Sequence, residues 1–103
     1  MRKIDLTNYD TSLQGPTGEP IIFEVRPRLI DILFLKPANG REILNRDRLA
    51  LKIEAWPDND LLVEETEYAK LVEGLDACQF TNRGFVEFAR RVMDAPSVDV
   101  KAK

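Results

Sequence analysis

Histidine is absent from the 103 residues of this chain, and cysteine occurs once. Without histidine the chain lacks the commonest general base and the commonest neutral metal ligand. Its two serines, Ser12 and Ser97, therefore have no partner for a serine triad. Cys78 has no second cysteine to pair with, which fits a reducing cytoplasm. It cannot build a structural zinc site, and it reads as a small buried hydrophobe. Long apolar runs are also missing. The longest, "LIDILFL", has seven residues and contains Asp31, whereas a bilayer span needs about 20. The start, "MRKIDLTNYD", has no signal-peptide core. An excess of basic charge is absent too. The net charge is -3, which argues against a dedicated nucleic-acid binder.

Two further patterns fall short of a site. "DND" at 58–60, followed by Glu64 and Glu65, lacks the glycine and the acidic spacing of a calcium loop and reads as a solvated turn. "GPTG" has no following Lys-Ser/Thr and is no phosphate loop. No carboxylate pair is isolated in an apolar setting that would tune its acidity. We therefore expect no enzyme activity, no cofactor and no metal.

What the chain does have is 44% hydrophobic and 32% charged residues, the balance of a folded globular domain. Its length supports one domain with a modest core. We place that domain at residues 1–95, with a flexible C-terminal tail at 96–103 after Pro96.

Local patterns give an α+β fold: an N-terminal antiparallel β-hairpin, a candidate third short strand, and about four α-helices. "RKIDLT" alternates, with Ile4 and Leu6 on one side. "IIFEV" places Ile21, Phe23 and Val25 on one side. The two are read as paired strands joined by a long loop, within which Pro16 and Gly18 mark a type I turn. "PRLIDILFL" reads as a short buried helix opened by Pro27, with a strand as the competing assignment. Asn39 caps "GREILNRDRLALKIEA", which Pro57 ends. "LLV" is the possible third strand. "EETEYAKLVEGL" carries acids in its first turn, and Glu67, three residues after Glu64, gives half of a capping box. Asn82 is expected to cap the last helix, "RGFVEFARRVMDA".

The helix over 41–55 is the unusual element. On a wheel of about 100° per residue, Ile43, Leu49, Ala50, Ile53 and Trp56 form one broad apolar arc, interrupted by Arg46. Leu44, Leu51 and Ala55 form a second arc. Two arcs predict burial on two sides, either within one subunit or against a partner chain. Leu44, Leu51, Ala55 and Trp56 are the candidate interface, and Ile43 and Ile53 should be intramolecular. Self-association also has a candidate in the "IIFEV" strand, whose edge is open. A nucleic-acid surface would need Arg48 and Lys52, one turn apart, together with Arg90 and Arg91, as phosphate contacts. Acidic neighbours interleave these cations, which is the usual pattern of solvated surface.

With the elements in order, the chain resembles a family of small proteins encoded in tailed-bacteriophage and prophage genomes. The resemblance lies in "KIDL", "GEPI", "LIDILF", "GREILNRDRLALKIE", "LLVEETEYAKLVEGL" and "FVEFARRVMDAP", and covers nearly the whole chain. It implies a phage or prophage origin and a non-enzymatic role. The expected function is a protein–protein interaction or assembly module, self-associating as a homodimer or higher oligomer, with other phage proteins as further candidate partners. Its place would be the host bacterial cytoplasm or the virion, with no membrane. A small nucleic-acid-associated regulator is the alternative. An enzyme subunit completed only by a partner is a more distant one.

Overall fold

The structure, a computed structural model, describes residues 1–80 and 83–98. It is an α+β fold with two small antiparallel sheets and four α-helices. In chain order these are β1 (Arg2–Asp5), β2 (Tyr9–Gln14), β3 (Pro20–Phe23), α1 (Val25–Ile32), α2 (Gly40–Ala55), β4 (Asp60–Val63), α3 (Glu65–Ala77), a 3-10 turn (Arg83–Phe85) and α4 (Val86–Met93). No described helix is long and apolar enough to cross a membrane.

The strand pairing differs from the expected hairpin. β1 pairs with β4, Ile4 standing opposite Leu61 and Arg2 opposite Val63. The hairpin partner of β3 is β2, which occupies the segment expected to be loop. Burying Ile4, Leu61 and Val63 together drives the long-range pairing, since all three are fully buried. The expected turn is present inside the true hairpin, closed by Gly18 N–H donating to the Gly15 carbonyl at 3.0 Å. Gly18 has a positive φ of 83°, which glycine adopts without a steric penalty.

Tyr9 joins the β2–β3 hairpin to the C-terminal helix. Its ring stacks on Phe23 with centroids 5.0 Å apart, and its hydroxyl donates to the Gly84 carbonyl at 2.6 Å. The same hydroxyl accepts the Phe88 N–H at 3.1 Å. That amide lies in the first turn of α4, where no helical carbonyl is available to it. Burial pushes the Tyr9 phenol above its ordinary pKa.

The helices follow their local signals more closely. α1 begins at Val25, so Pro27 is its third residue; its missing N–H is harmless there because first-turn amides have no helical acceptor. The helix ends at Ile32, and Phe34 and Leu35 are exposed rather than buried as expected. Asn39 caps α2 by accepting the Glu42 N–H at 2.8 Å. The capping box of α3 is complete, with Glu67 accepting the Glu64 N–H. The expected Asn82 cap lies outside the described residues. Beyond α4, Pro96–Val98 lie along β1, where a frayed tail was expected. Lys3 N–H donates to the Pro96 carbonyl and Val98 N–H to the Met1 carbonyl. Residues 99–103 of that tail lie outside the described residues. Cys78, at the end of α3, is half-buried against the core and is a free thiol.

The core is one cluster containing Leu29, Ile32 and Leu33 around α1, Leu49, Ala50 and Ile53 from α2, Leu71 and Leu75 from α3, and Phe88 and Val92 from α4. α1 is packed by both α2 and α3. On the α3 side the approach is very close. A Cβ at Gly74 would lie 2.2 Å from the Ile32 carbonyl oxygen, a backbone atom that cannot yield without shifting α1. Gly74→Ala is therefore expected to cost about 1–3 kcal/mol or more, lowering the melting temperature by roughly 5–15 °C. Gly40→Ala, where nothing lies within 4 Å, should leave the melting temperature within about 3 °C of wild type. Thermal unfolding followed by circular dichroism distinguishes the two.

Candidate functional site

α2 contributes Arg46, Leu49, Ala50 and Ile53 to the interior, a spacing of three and four that defines one helix face. Two arginines hold that face inward. Arg46, 5% exposed, donates to the Lys36 carbonyl at 2.6 Å, in the connection that follows α1, and its Nε lies 3.5 Å from Glu42. Arg26, from the first turn of α1, donates to the carbonyls of Ile53 at 2.6 Å, Trp56 at 2.9 Å and Asp58 at 3.0 Å. These are carbonyls at and beyond the end of α2, where helical donors run out and the dipole favours a cation. Arg46, whose charge interrupts the apolar arc in the sequence, is thus a strut between α2 and the end of α1.

With that face held inward, Leu44 and Leu51 point outward at 59% and 56% exposure. Ala55 is exposed on the same stripe. Trp56, grouped with them in the sequence, lies elsewhere. It is half-buried against the core, and its indole N–H donates to the Asp60 carbonyl at 3.0 Å and to Asp58 at 3.2 Å. Asp58 also accepts the Asp60 N–H, so the acidic turn organises the chain around Trp56. Ile53 is fully buried as expected. Ile43, also expected inside, is 37% exposed because the broad arc is wider than the surface α1 covers.

The candidate phosphate contacts are mostly engaged within the chain. Lys52 pairs with Glu67 at 2.8 Å. Arg91 pairs with Glu87 at 2.8 Å, donates to the Asp5 and Thr7 carbonyls and stacks over the Tyr9 ring. Arg90 lies 3.7 Å from Glu87. Among the described residues Arg48 alone of the four has no acidic partner; its guanidinium contacts the Asn45 side chain at 3.3 Å. An open groove of about 440 Å³ lies between the β2–β3 hairpin, α1 and the 3-10 turn, with Leu13, Ile21, Phe85, Arg28 and Asp31 on its walls. Arg28 rests over the Phe85 ring there. Among the described residues no three Asp, Glu or Cys side chains come together as a metal-binding group.

Glu42 links α2 to α3. Its carboxylate receives the Lys70 ammonium at 3.1 Å. That hydrogen bond, aided by Arg46, holds its pKa below the ordinary carboxylate value. A carboxylate whose folded pKa is depressed stabilises the fold above its unfolded pKa, and that contribution is lost as pH falls through the folded value. A carboxyl NMR titration should give a Glu42 midpoint below the ordinary glutamate value, and Lys70→Met should raise it. Duplex DNA binding is expected to be weak, independent of sequence, and lost at physiological salt, since few cations are uncommitted. A fluorescence-anisotropy salt titration measures this.

No family model, curated protein or solved structure matches the chain.

Proposed function

We propose that this chain is a non-catalytic protein–protein interaction module of phage or prophage origin that self-associates through the outer face of α2. The observation that carries this reading is the pair Leu44 and Leu51, two helical turns apart and both more than half exposed, on a helix whose opposite face is filled by the core. The resemblance of the sequence to small phage-encoded proteins supports the origin, and the absence of histidine and of any nucleophile–base pair supports the non-catalytic role. The module works in the host bacterial cytoplasm or in association with the virion.

Magnitudes set the strength of such an association. Fully burying a leucine contributes about 1.5–3 kcal/mol. Half of that for each of four leucines in a dimer gives roughly 3–6 kcal/mol, against an association cost of about 4 kcal/mol or more. The leucines alone therefore leave at most about 2 kcal/mol, a Kd on the order of tens of millimolar, and the residues flanking them supply the remainder of any tighter association. Its formation depends on protein concentration and on any further contact that brings copies together.

Sedimentation equilibrium across a concentration series up to about 1 mM, where an association worth about 4 kcal/mol in all becomes visible, is the direct test. Wild type should show a reversible monomer–dimer equilibrium. Leu51→Glu should remain monomeric with an unchanged melting temperature, because surface substitutions usually alter stability by no more than about 0.5 kcal/mol. Ile53→Ala should instead cost about 2–5 kcal/mol of stability. A wild type that stays monomeric throughout, or a Leu51→Glu variant that unfolds as Ile53→Ala does, would rule out this face.

A further inference from the structure

The outer face of α2 differs in charge on the two sides of the line from Leu44 to Leu51. On an α-helix, residues three before and four after a given position lie to one side of it, and those four before and three after lie to the other. Arg41 and Arg48 therefore run along one flank of the leucines, and Asp47 and Glu54 along the other. Gly40 and Ala55 complete the stripe at its ends, and every one of these residues is exposed.

None of the four charged side chains has an ion-pair partner among the described residues; the contact of Arg48 with Asn45 is their one side-chain hydrogen bond. The charges just outside the stripe are matched within the chain, Glu42 to Lys70 and Lys52 to Glu67. The unmatched charges thus flank the two exposed leucines, one sign on each side.

Such a strip complements itself in one orientation only. A two-fold axis parallel to α2 sets the acidic flank of each copy against the basic flank of the other. Leu44 and Leu51 then meet their own equivalents, seven residues apart as in a leucine-bearing heptad seam. Asp47 stands against Arg48 of the second copy, offset by one residue rise of about 1.5 Å. A two-fold axis perpendicular to the helix would set acid against acid and base against base. Parallel alignment does bring like helix ends together, but the Arg26 guanidinium sits at the C-terminal end of α2, on the Ile53 and Trp56 carbonyls, and offsets the negative end of its dipole.

We infer that the outer face of α2 takes a second copy of itself in parallel alignment, with Leu44 and Leu51 at the seam and Asp47–Arg48 pairs on both flanks. This rests on the reading of α2 as an interaction face and specifies both its occupant and its orientation.

Disulfide trapping in the full chain tests it. In a Cys78→Ala background, Leu44→Cys and Leu51→Cys are made singly and oxidised with copper phenanthroline at high protein concentration. Each variant alone should form a disulfide-linked dimer, because equivalent positions face one another within disulfide reach. Glu19→Cys, at the exposed hairpin tip, sets the background from random collision. Efficient crosslinking only when the two leucine variants are mixed would overturn the parallel alignment while leaving the interaction face intact. No crosslinking above background, alone or mixed, together with a monomeric wild type, would overturn both. A charge exchange gives a second readout. Asp47→Arg and Arg48→Asp should each weaken dimerisation roughly three- to tenfold, and the double exchange should restore it. A double variant as weak as either single one would exclude the Asp47–Arg48 pairing.

Discussion

The rotation of α2 about its own axis is the constraint on which the rest of the surface depends. Arg26 holds the C-terminal end of the helix from the start of α1, and Arg46 holds its middle against the connection after α1. Hydrogen bonds from a charged donor contribute about 1.5–3 kcal/mol each, more than most single contacts in a domain of this size. Both arginines donate to backbone carbonyls, Arg26 at and beyond the C-terminal end of α2 and Arg46 in the connection after α1. With those two anchors in place, Leu49, Ala50 and Ile53 enter the core, and Leu44 and Leu51 have no choice but to face solvent.

Around this helix pair the remaining elements close the domain by long-range pairing. β1 and β4 bring the N-terminus against the segment that follows α2, and residues 96–98 run along β1 on its other side. The β2–β3 hairpin is attached through Tyr9, whose ring packs on Phe23 and whose hydroxyl engages both Gly84 and Phe88. Arg91 covers the same ring and reaches back to the end of β1. Of the candidate phosphate contacts, Arg91 is committed to tying α4 to β1, Lys52 to Glu67 of α3, and Arg90 to Glu87 of its own helix. This is why the interaction reading rests on the apolar stripe of α2 and not on a basic surface.

A weak, orientation-specific contact suits an assembly component better than a permanent dimer. A small apolar seam supplies little free energy beyond the cost of association. Flanking charges add little affinity, but they penalise the wrong alignment. Such a face responds to local concentration, so tethering copies side by side would raise its occupancy without any new contact.

Much of this was legible in the residues themselves, wherever a feature depends on neighbours within one or two turns. The Asn39 cap, the Glu64–Glu67 capping box, the turn at Gly15–Gly18 and the separation of Leu44 and Leu51 from Ile53 all follow from spacings of three and four along the chain. Tertiary structure decided the rest. The partner of β1 is β4, more than fifty residues away, and the cost of closing such a loop leaves no trace in local pattern. β2 reads as loop because its pairing is broken by a bulge with Ser12 at φ 64°, although Tyr9, Thr11 and Leu13 do alternate with more exposed residues. Trp56 and Ile43 share an apolar arc in the sequence, yet the first packs inward and the second stays partly wet. An arc states which side of a helix is apolar; how much of it is buried depends on the width of the neighbour that covers it. The closeness at Gly74 and the reach of Arg26 likewise exist only once α1 packs against both α2 and α3, because one is a backbone-to-backbone approach and the other a side chain reaching distant carbonyls.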